Sequence, residues 1–247
     1  QEDVDRSDNQ IILRNNLDKS NYVRPAGGDF QAGHKVYSGK KLKPADIALL
    51  AAMNNAYVEV SKRPIIALIS TGDELVSPGE PLGEGQIVAS NAYGLTALFE
   101  NNGAIVRLLP IAQDNITSLK AAFELCKGAN LIVTIGGASV GEHDLVYEAA
   151  IDKGLKQSFY KVSMRPGKPL MAGRVGNLPV VGLPGNPVSA IVCGHLFIVP
   201  MIKSMLGLSS VLPKTFETVL LNDLAANGKR KHYCRATLSA EGLYVAE

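Results

Sequence analysis

Short apolar runs alternate with amphipathic windows through the middle of the chain. The apolar runs lie at residues 65–70, 105–109, 131–135, 159–164 and 178–183, and helix-like windows lie at 91–102, 115–127, 144–153 and 187–206. A continuous apolar run of this length is typical of a parallel strand covered on both faces. The alternation therefore predicts βαβ units, which means an α/β fold with a mainly parallel sheet flanked by helices.

The two ends of the chain follow other patterns. Residues 1–61 contain a polar stretch, turns rich in Gly and Lys, and one short helix predicted to start at Pro44. After Leu208 the alternation stops and short strands follow. We therefore expect residues 1–61 to be the end of an N-terminal region with a small flanking domain. Residues 62–206 would form the α/β domain, and 207–247 would begin a C-terminal β-domain.

Composition and charge narrow the class of protein. Of the 247 residues, 46% are hydrophobic and 19% are charged, which fits a chain that buries a core. A net charge of +2 argues against coating nucleic acid or binding membranes through a basic patch. No continuous apolar run has the length of a membrane span, and the acidic N-terminus is no secretory signal. We expect a soluble, cytoplasmic protein, and, since residue 1 is Gln rather than Met, part of a longer chain.

The cysteines and histidines argue against two kinds of metal site. Three cysteines without a CxxC pair do not fit a disulfide framework or a structural zinc site. Four scattered histidines without an HExxH motif do not fit a histidine-ligated catalytic metal. Cys126 and Cys193 fall in apolar helical windows, so we expect both in the core.

Two loops that follow predicted strands are acidic. Ligands of parallel sheets bind outside the carboxyl ends of the strands, so these loops are the candidates for chemistry. Residues 70–75 (STGDEL) place two acids beside a glycine, and residues 136–144 (GGASVGEHD) combine glycines with acids. A turn with helix caps would explain either loop alone. An acid in a glycine-rich anion loop is explained better by a cation such as Mg²⁺ between carboxylate and phosphate, and Asp114 adds one more carboxylate.

Two further loops carry cations or amides. Residues 165–169 (RPGKP) hold two cations around a Pro-Gly turn, which suits a phosphate or another oxyanion, although a solvated basic turn is the alternative. Residues 183–189 (LPGNPVS) fix a tight turn before a helix, with Ser189 at the helix start. Four such loops at one sheet edge predict a site for a metal and a phosphorylated anion.

These loops together resemble one known family. The sequences STGDEL, QIVASN (86–91), GGASVGEHD, RPGKP and LPGNPVS occur in the order found in molybdopterin molybdenumtransferases, which include bacterial MoeA and the matching domain of gephyrin. Residues 21–29 (NYVRPAGGD) resemble the segment that precedes this domain. The resemblance implies molybdenum cofactor biosynthesis: molybdate is inserted into adenylylated molybdopterin and AMP is released. It also implies a homodimer.

The resemblance implies roles for individual residues. Asp114 and Asp144 would hold a divalent metal, Mg²⁺ or Zn²⁺, with Glu74 as a third catalytic acid. Arg235 would close over the molybdate. The residues expected to bind the substrates are Thr71, Gly72, Ser90, Asn91, Gly136, Gly137, Ser139, Lys168, Pro184, Gly185, Asn186, Ser189 and Arg235.

Three positions depart from the family pattern, and two other functions stay open. Ala89 stands where the family usually has Asp, Gly28 where it usually has Glu, and Arg165 where Lys is common. We assign no role to Ala89 or Gly28. One alternative is a molybdopterin adenylyltransferase, although those enzymes usually carry a Gly-Gly-Thr-Gly loop. The other is a non-catalytic molybdopterin-binding or scaffold module.

Overall fold

Two compact units make up the chain. A computed structural model describes residues 4–14, 23–136 and 145–245. One unit comprises Gln1–Ser38 and Leu42–Val58, and the other Gly39–Lys41 and Glu59–Glu247. The division predicted from the sequence, at residues 62 and 207, stays a prediction.

The first unit contains a hairpin and a helix. Its described elements are β1 (Val4–Ser7), antiparallel to β2 (Gln10–Leu13), and α1 (Pro44–Ala52). The main-chain N–H of Lys43 donates to a carboxylate oxygen of Asp46 at 2.8 Å, and Pro44 opens the first turn. Both features stabilise a helix start, so the short helix predicted here is confirmed.

The second unit alternates strands with helices up to residue 205. Its elements in chain order are β3 (Ile65–Ser70), β4 (Leu75–Val76), β5 (Ile87–Val88), α2 (Ser90–Asn101), β6 (Ile105–Leu108), α3 (Ile116–Glu124), β7 (Leu131–Ile135), α4 (Leu145–Asp152), β8 (Leu155–Tyr160), β9 (Met164–Arg165), β10 (Met171–Val175), β11 (Leu178–Leu183), α5 (Pro187–Cys193), a π-helical turn (Gly194–Ile198), α6 (Val199–Met205), β12 (Lys231–His232), β13 (Ala236–Leu238) and β14 (Leu243–Val245).

A six-stranded sheet forms the centre of this unit. Its strand order is β6-β3-β7-β11-β10-β8. Neighbours from β6 to β11 pair in parallel, and β10 is antiparallel to both β11 and β8. The predicted α/β fold with a mainly parallel sheet is therefore confirmed. The sequence analysis missed β10, because its residues, MAGRV, do not form a continuous apolar run.

The strand order creates a crevice at the carboxyl edge of the sheet. The chain runs from β3 outward to β6 and then crosses back over β3 to β7. The connections that leave β3 and β7 therefore depart toward opposite faces of the sheet. Ligands of open α/β sheets bind at such a switch point, so the fold alone selects this edge as the candidate site.

Helices cover both faces of the sheet. On one face α2 and the helix from α5 to α6 pack against the sheet, with Phe99, Leu131 and Ile202 fully buried. On the other face α3 and α4 pack against side chains such as Ile132, while Leu119 of α3 is 1% exposed. Burial on both faces is the reason why the central strands β3 and β7 are apolar at nearly every position.

The longest helical stretch runs from Pro187 to Met205 and is broken by one π-helical turn. In that turn the N–H of Val199 donates to the carbonyl of Gly194, five residues back. Pro200 has no N–H to continue the α-helical pattern, which explains the irregularity just before it. This stretch is long and apolar enough to cross a membrane, but buried core helices share both properties, so they do not distinguish the two. Its residues Cys193, Ile198 and Ile202 are fully buried against the sheet.

Replacing Leu131 by alanine tests this core. Leu131 is fully buried in the central strand β7, so the substitution leaves a cavity and we expect a loss of about 2–5 kcal/mol in the free energy of unfolding. The same substitution at Leu82, which is 58% exposed, should change it by less than about 0.5 kcal/mol. Urea unfolding of both variants measures the difference, and equal losses would contradict the assignment of Leu131 to the core.

Candidate functional site

Main-chain hydrogen bonds continue past the ends of three strands. The N–H of Thr71 donates to the carbonyl of Ile135 at 3.0 Å, and the N–H of Gly72 donates to Ala112 at 3.2 Å. Ala112 in turn donates to the carbonyl of Ser70 at 2.9 Å. Thr71 is buried, with 3% of its surface exposed. Main-chain hydrogen bonds therefore connect the loops after β3, β6 and β7 near the strand ends.

Three carboxylates gather where the loops after β3 and β6 meet. The N–H of Asp114 donates to Oδ1 of Asp73 at 2.9 Å. Glu74 folds back over Gly72, where an added Cβ would lie 2.8 Å from its carboxyl carbon. Partial burial, and then repulsion from Asp73 and Glu74, raise the pKa of Asp114 above its ordinary value of 3.8. The structure therefore brings Glu74 and Asp114 together, as the sequence analysis expected.

Asp73 lies together with these two acids, although the sequence analysis did not select it. It lies beside Glu74 in the same loop, so an acid adjacent to a chosen acid was the available signal. The second predicted metal ligand, Asp144, lies outside the described residues, as do Gly137 and Ser139. Within residues 4–14, 23–136 and 145–245, no three His, Cys, Asp or Glu side chains are placed to hold a metal ion.

Gly136 occupies a position that requires glycine. Its φ of +89° is unfavourable for other residues, and an added Cβ would lie 2.7 Å from the carbonyl oxygen of Thr71. Its N–H donates to the carbonyl of Leu183 at 3.1 Å. Gly185 approaches it from the next loop, where an added Cβ would lie 3.6 Å from the Cα of Gly136. The loops after β3, β7 and β11 therefore meet at Gly136.

The turn after β11 is held by two asparagines. Oδ1 of Asn186 accepts hydrogen bonds from the N–H and hydroxyl of Ser189 at 3.3 and 3.4 Å, which caps α5. Nδ2 of Asn91, at the start of α2, donates to the carbonyl of Gly185 at 2.7 Å. Pro184 is buried at the strand end. These contacts give the predicted substrate-binding residues Asn91, Asn186 and Ser189 structural partners.

The positions around the start of α2 differ in exposure. Ser90, a predicted substrate-binding residue, is exposed, whereas Ala89 is 7% exposed. The N–H of Ala89 donates to the carbonyl of Val76 at 2.9 Å. Ala89 is thus packed into the structure beside Ser90, and no role in binding is assigned to it.

The cationic loop, residues 165–169, is fixed by close packing. Gly167 has φ of +100°, and an added Cβ would lie 2.5 Å from Sγ of Cys193. The N–H of Val162 donates to the carbonyl of Lys168 at 3.0 Å, and the Arg165–Pro166 peptide is cis. Burial raises the pKa of Cys193 to about 11, so its thiol stays neutral at physiological pH. The side chains of Arg165 and Lys168 are exposed from this fixed loop.

A cavity joins the cationic loop to the C-terminal strands. β12 pairs in parallel with β9, and the N–H of Tyr233 donates to the carbonyl of Arg165 at 2.7 Å. Arg165 and Arg235 both line an open cavity of about 390 Å³. In the part of the chain that the structure describes, neither arginine is in an ion pair. The predicted molybdate residue Arg235 thus lies at the same cavity as Arg165, although Lys168 does not line it.

Comparison with known proteins identifies the family. Residues 67–204 match the family model described as "Probable molybdopterin binding domain". The chain belongs to this family. It is similar to a molybdopterin molybdenumtransferase from Nostoc sp., with 36% identity over 99% of this chain and 58% of the relative. Molybdopterin molybdenumtransferase 2 from Mycobacterium tuberculosis is 35% identical over 96% of this chain and 60% of the relative.

A solved structure supports the same family. The molybdopterin biosynthesis MoeA protein from Pyrococcus horikoshii superposes with a TM-score of 0.80 and 28% identity, over 100% of this chain and 61% of that one. The resemblance recognised from the five motifs is confirmed. This molybdopterin-binding-domain protein spans about three fifths of the length of these relatives.

Alanine at Gly136 tests the meeting point of the loops. Gly136 and Gly128 both have positive φ, but an added Cβ meets nothing within 4 Å at Gly128. Gly128→Ala should therefore cost only the backbone strain, about 1–2 kcal/mol. Gly136→Ala should cost about 1–3 kcal/mol more because of the overlap with Thr71. Urea unfolding compares the two variants, and an equal loss would show that Thr71 does not crowd this position.

The raised pKa of Asp114 predicts a pH dependence of stability. The folded state binds the Asp114 proton more tightly than the unfolded state, so this stability is full below pH 3.8 and is lost as pH rises through the raised pKa. Asp114→Asn removes that loss and should gain stability relative to the parent protein between pH 4 and pH 7.

Glu124 provides a control, because its pKa is shifted in the opposite direction. Lys153 bonds to this carboxylate and holds its pKa below the ordinary value, so its stability is lost as pH falls. Glu124→Gln should therefore lose stability relative to the parent protein at neutral pH. Urea unfolding of both variants and of the parent protein at pH 4 and at pH 7 measures these effects. A pH trend of the same sign in the two variants would refute the pKa direction at Asp114.

Proposed function

We propose that this protein is a molybdopterin molybdenumtransferase, which inserts molybdate into adenylylated molybdopterin and releases AMP. The observation that carries the proposal lies at the switch point of the sheet, where the loop of residues 70–75 contacts both neighbouring loops. Its Asp73 accepts a hydrogen bond from the N–H of Asp114, and its Thr71 packs against Gly136. Carboxylates beside a glycine turn fit a pyrophosphate held with a metal ion. The relatives named as molybdenumtransferases support the choice of substrates.

Asp114 and Asp144 are the proposed ligands of the divalent metal. Carboxylate oxygens are hard donors, which suits Mg²⁺, whereas zinc sites usually contain His or Cys. The crowded acids around Asp114 fit such a cation, because a positive charge there would relieve their mutual repulsion. Zn²⁺ stays the second choice. When bound, the metal would shield the pyrophosphate and polarise the phosphorus from which AMP departs.

The cationic residues have a separate proposed role. Molybdate and the pyrophosphate are anions, and Arg165 and Arg235 line one cavity without ion-pair partners among the described residues. Guanidinium groups bind oxyanions through paired hydrogen bonds, so these arginines would hold the molybdate. Lys168, on the same fixed loop as Arg165, would add positive charge near the phosphate. The acids would thus bind the metal, and the cationic residues would bind the anions.

Two finer statements complete the proposal. We propose a homodimer, since the family resemblance implies one, and a cytoplasmic location, since three cysteines without a CxxC pair fit a reducing compartment. Sedimentation of the purified protein tests the first. Fractionation of cells tests the second.

AMP release from adenylylated molybdopterin tests the proposed reaction. The purified protein should release AMP only when both molybdate and Mg²⁺ are present. Asp114→Asn should reduce the rate about 100-fold or more, because it removes a negative charge that would bind the metal. Asp152→Asn is the matched control, because this carboxylate pairs with Lys120 on the surface between α3 and α4 and should leave the rate unchanged.

The outcomes separate the competing functions. Substrate binding without AMP release would indicate a binding or scaffold module. Consumption of ATP with formation of adenylylated molybdopterin would indicate an adenylyltransferase. Full activity of Asp114→Asn would remove this residue from the metal site.

A further inference from the structure

We infer that Asn91 is a positioning residue, whose amide fixes the carbonyl of Gly185 and thereby the turn after β11 that faces the substrate. The inference rests on the proposed function for its catalytic consequence. It changes the role that the sequence analysis gave to Asn91, from direct contact with the substrate to support of a loop that contacts it.

The hydrogen bond joins two distant parts of the chain. Nδ2 of Asn91 lies 2.7 Å from the carbonyl oxygen of Gly185, and the two residues are 94 positions apart in sequence. Asn91 is the second residue of α2, and the N-cap of that helix, Ala89, makes no side-chain capping bond. Asn91 therefore directs its amide to another loop instead of capping its own helix.

The turn after β11 has little else to fix its central peptide. Pro184 and Pro187 have no N–H to donate, and Gly185 has no side chain to pack. Asn186 is engaged with Ser189 at 3.3 Å. In the described segments, Asn91 is the one hydrogen-bond donor to the Gly185 carbonyl. Loss of this donor therefore removes the hydrogen bond that orients the peptide between Gly185 and Asn186.

Movement of this peptide would reach the centre of the site. Gly185 lies against Gly136, with only 3.6 Å between an added Cβ and the Cα of Gly136. Asn186 also supplies the cap for Ser189, which is 8% exposed. Both turns proposed to bind the anionic substrate therefore depend on the orientation of Gly185. A displacement of about 1 Å is enough to reduce an enzymatic rate about 100-fold.

Two substitutions of Asn91 test this role. Asn91→Asp keeps the size of the side chain but places an acceptor opposite the Gly185 carbonyl, and Asn91→Ala removes the amide without adding a charge. An acid in the first turn of α2 is favourable for the helix, so Asn91→Asp should fold. Asn102→Asp is the matched control, since Nδ2 of Asn102 donates to the carbonyl of Leu98 at 2.8 Å, at the far end of the same helix.

Two measurements are made on each variant. Amide hydrogen exchange of Ser189 and Ala190 reports on the turn, because their N–H groups bond to Oδ1 and the carbonyl of Asn186. We expect exchange to accelerate about tenfold in both Asn91 variants. For AMP release we expect kcat/KM to fall about 10- to 100-fold. Asn102→Asp should leave both measurements near those of the parent protein.

Each outcome supports or overturns the positioning role of Asn91. Lost activity with unchanged exchange would assign Asn91 a direct contact with the substrate and overturn the inference. Faster exchange with unchanged kcat/KM would show that the reaction does not use the position of this turn, which also overturns it. If the parent protein itself releases no AMP, the proposed function fails, and the exchange measurement still shows whether Asn91 holds the turn.

Discussion

Parallel register between neighbouring strands is the constraint on which the candidate site depends. Ser70 of β3 pairs with Ile135 of β7, and Ile135 pairs with Leu183 of β11. Because the three strands end at the same level, the next residue of each loop starts beside the others. Successive loops begin 65 and 48 positions apart along the chain, yet a few main-chain hydrogen bonds join them. The arrangement of the site is therefore set by the sheet, and the loops supply the chemistry.

The acids and the arginines of the site are held in place by different contacts. The acids lie on loops that leave the parallel strands, where repulsion and partial burial raise the pKa of Asp114. The arginines are brought together by pairing of β9 with β12, so their cavity depends on contacts between distant segments. Crowded like charges lower the stability of the folded protein unless a counterion is bound. Such a cost is common at functional sites.

The sequence predicted what depends on local pattern. The apolar runs located β3, β6, β7 and β11, and burial on both faces explains the near-continuous apolar pattern of the central strands β3 and β7. The rule that ligands bind at the carboxyl ends of parallel strands also predicted Glu74, Asp114 and Gly136 at one edge, but sequence reasoning missed two features. It did not locate β10, whose pattern is mixed, or the bond from Asn91 to Gly185. That bond depends on the docking of α2 beside the turn after β11, and no local periodicity encodes such a contact.

The π-helical turn changes which residues the longest helix can bury. Cys193 and Ile202 are nine positions apart, and at about 100° per residue an unbroken α-helix would place them on opposite sides. Both are nevertheless fully buried in the same core cluster. The wider turn takes up roughly one residue, so the two behave as if eight positions apart and differ by about 80°. The π-helical turn thus accommodates one extra residue and keeps the downstream half of the helix in phase with the sheet.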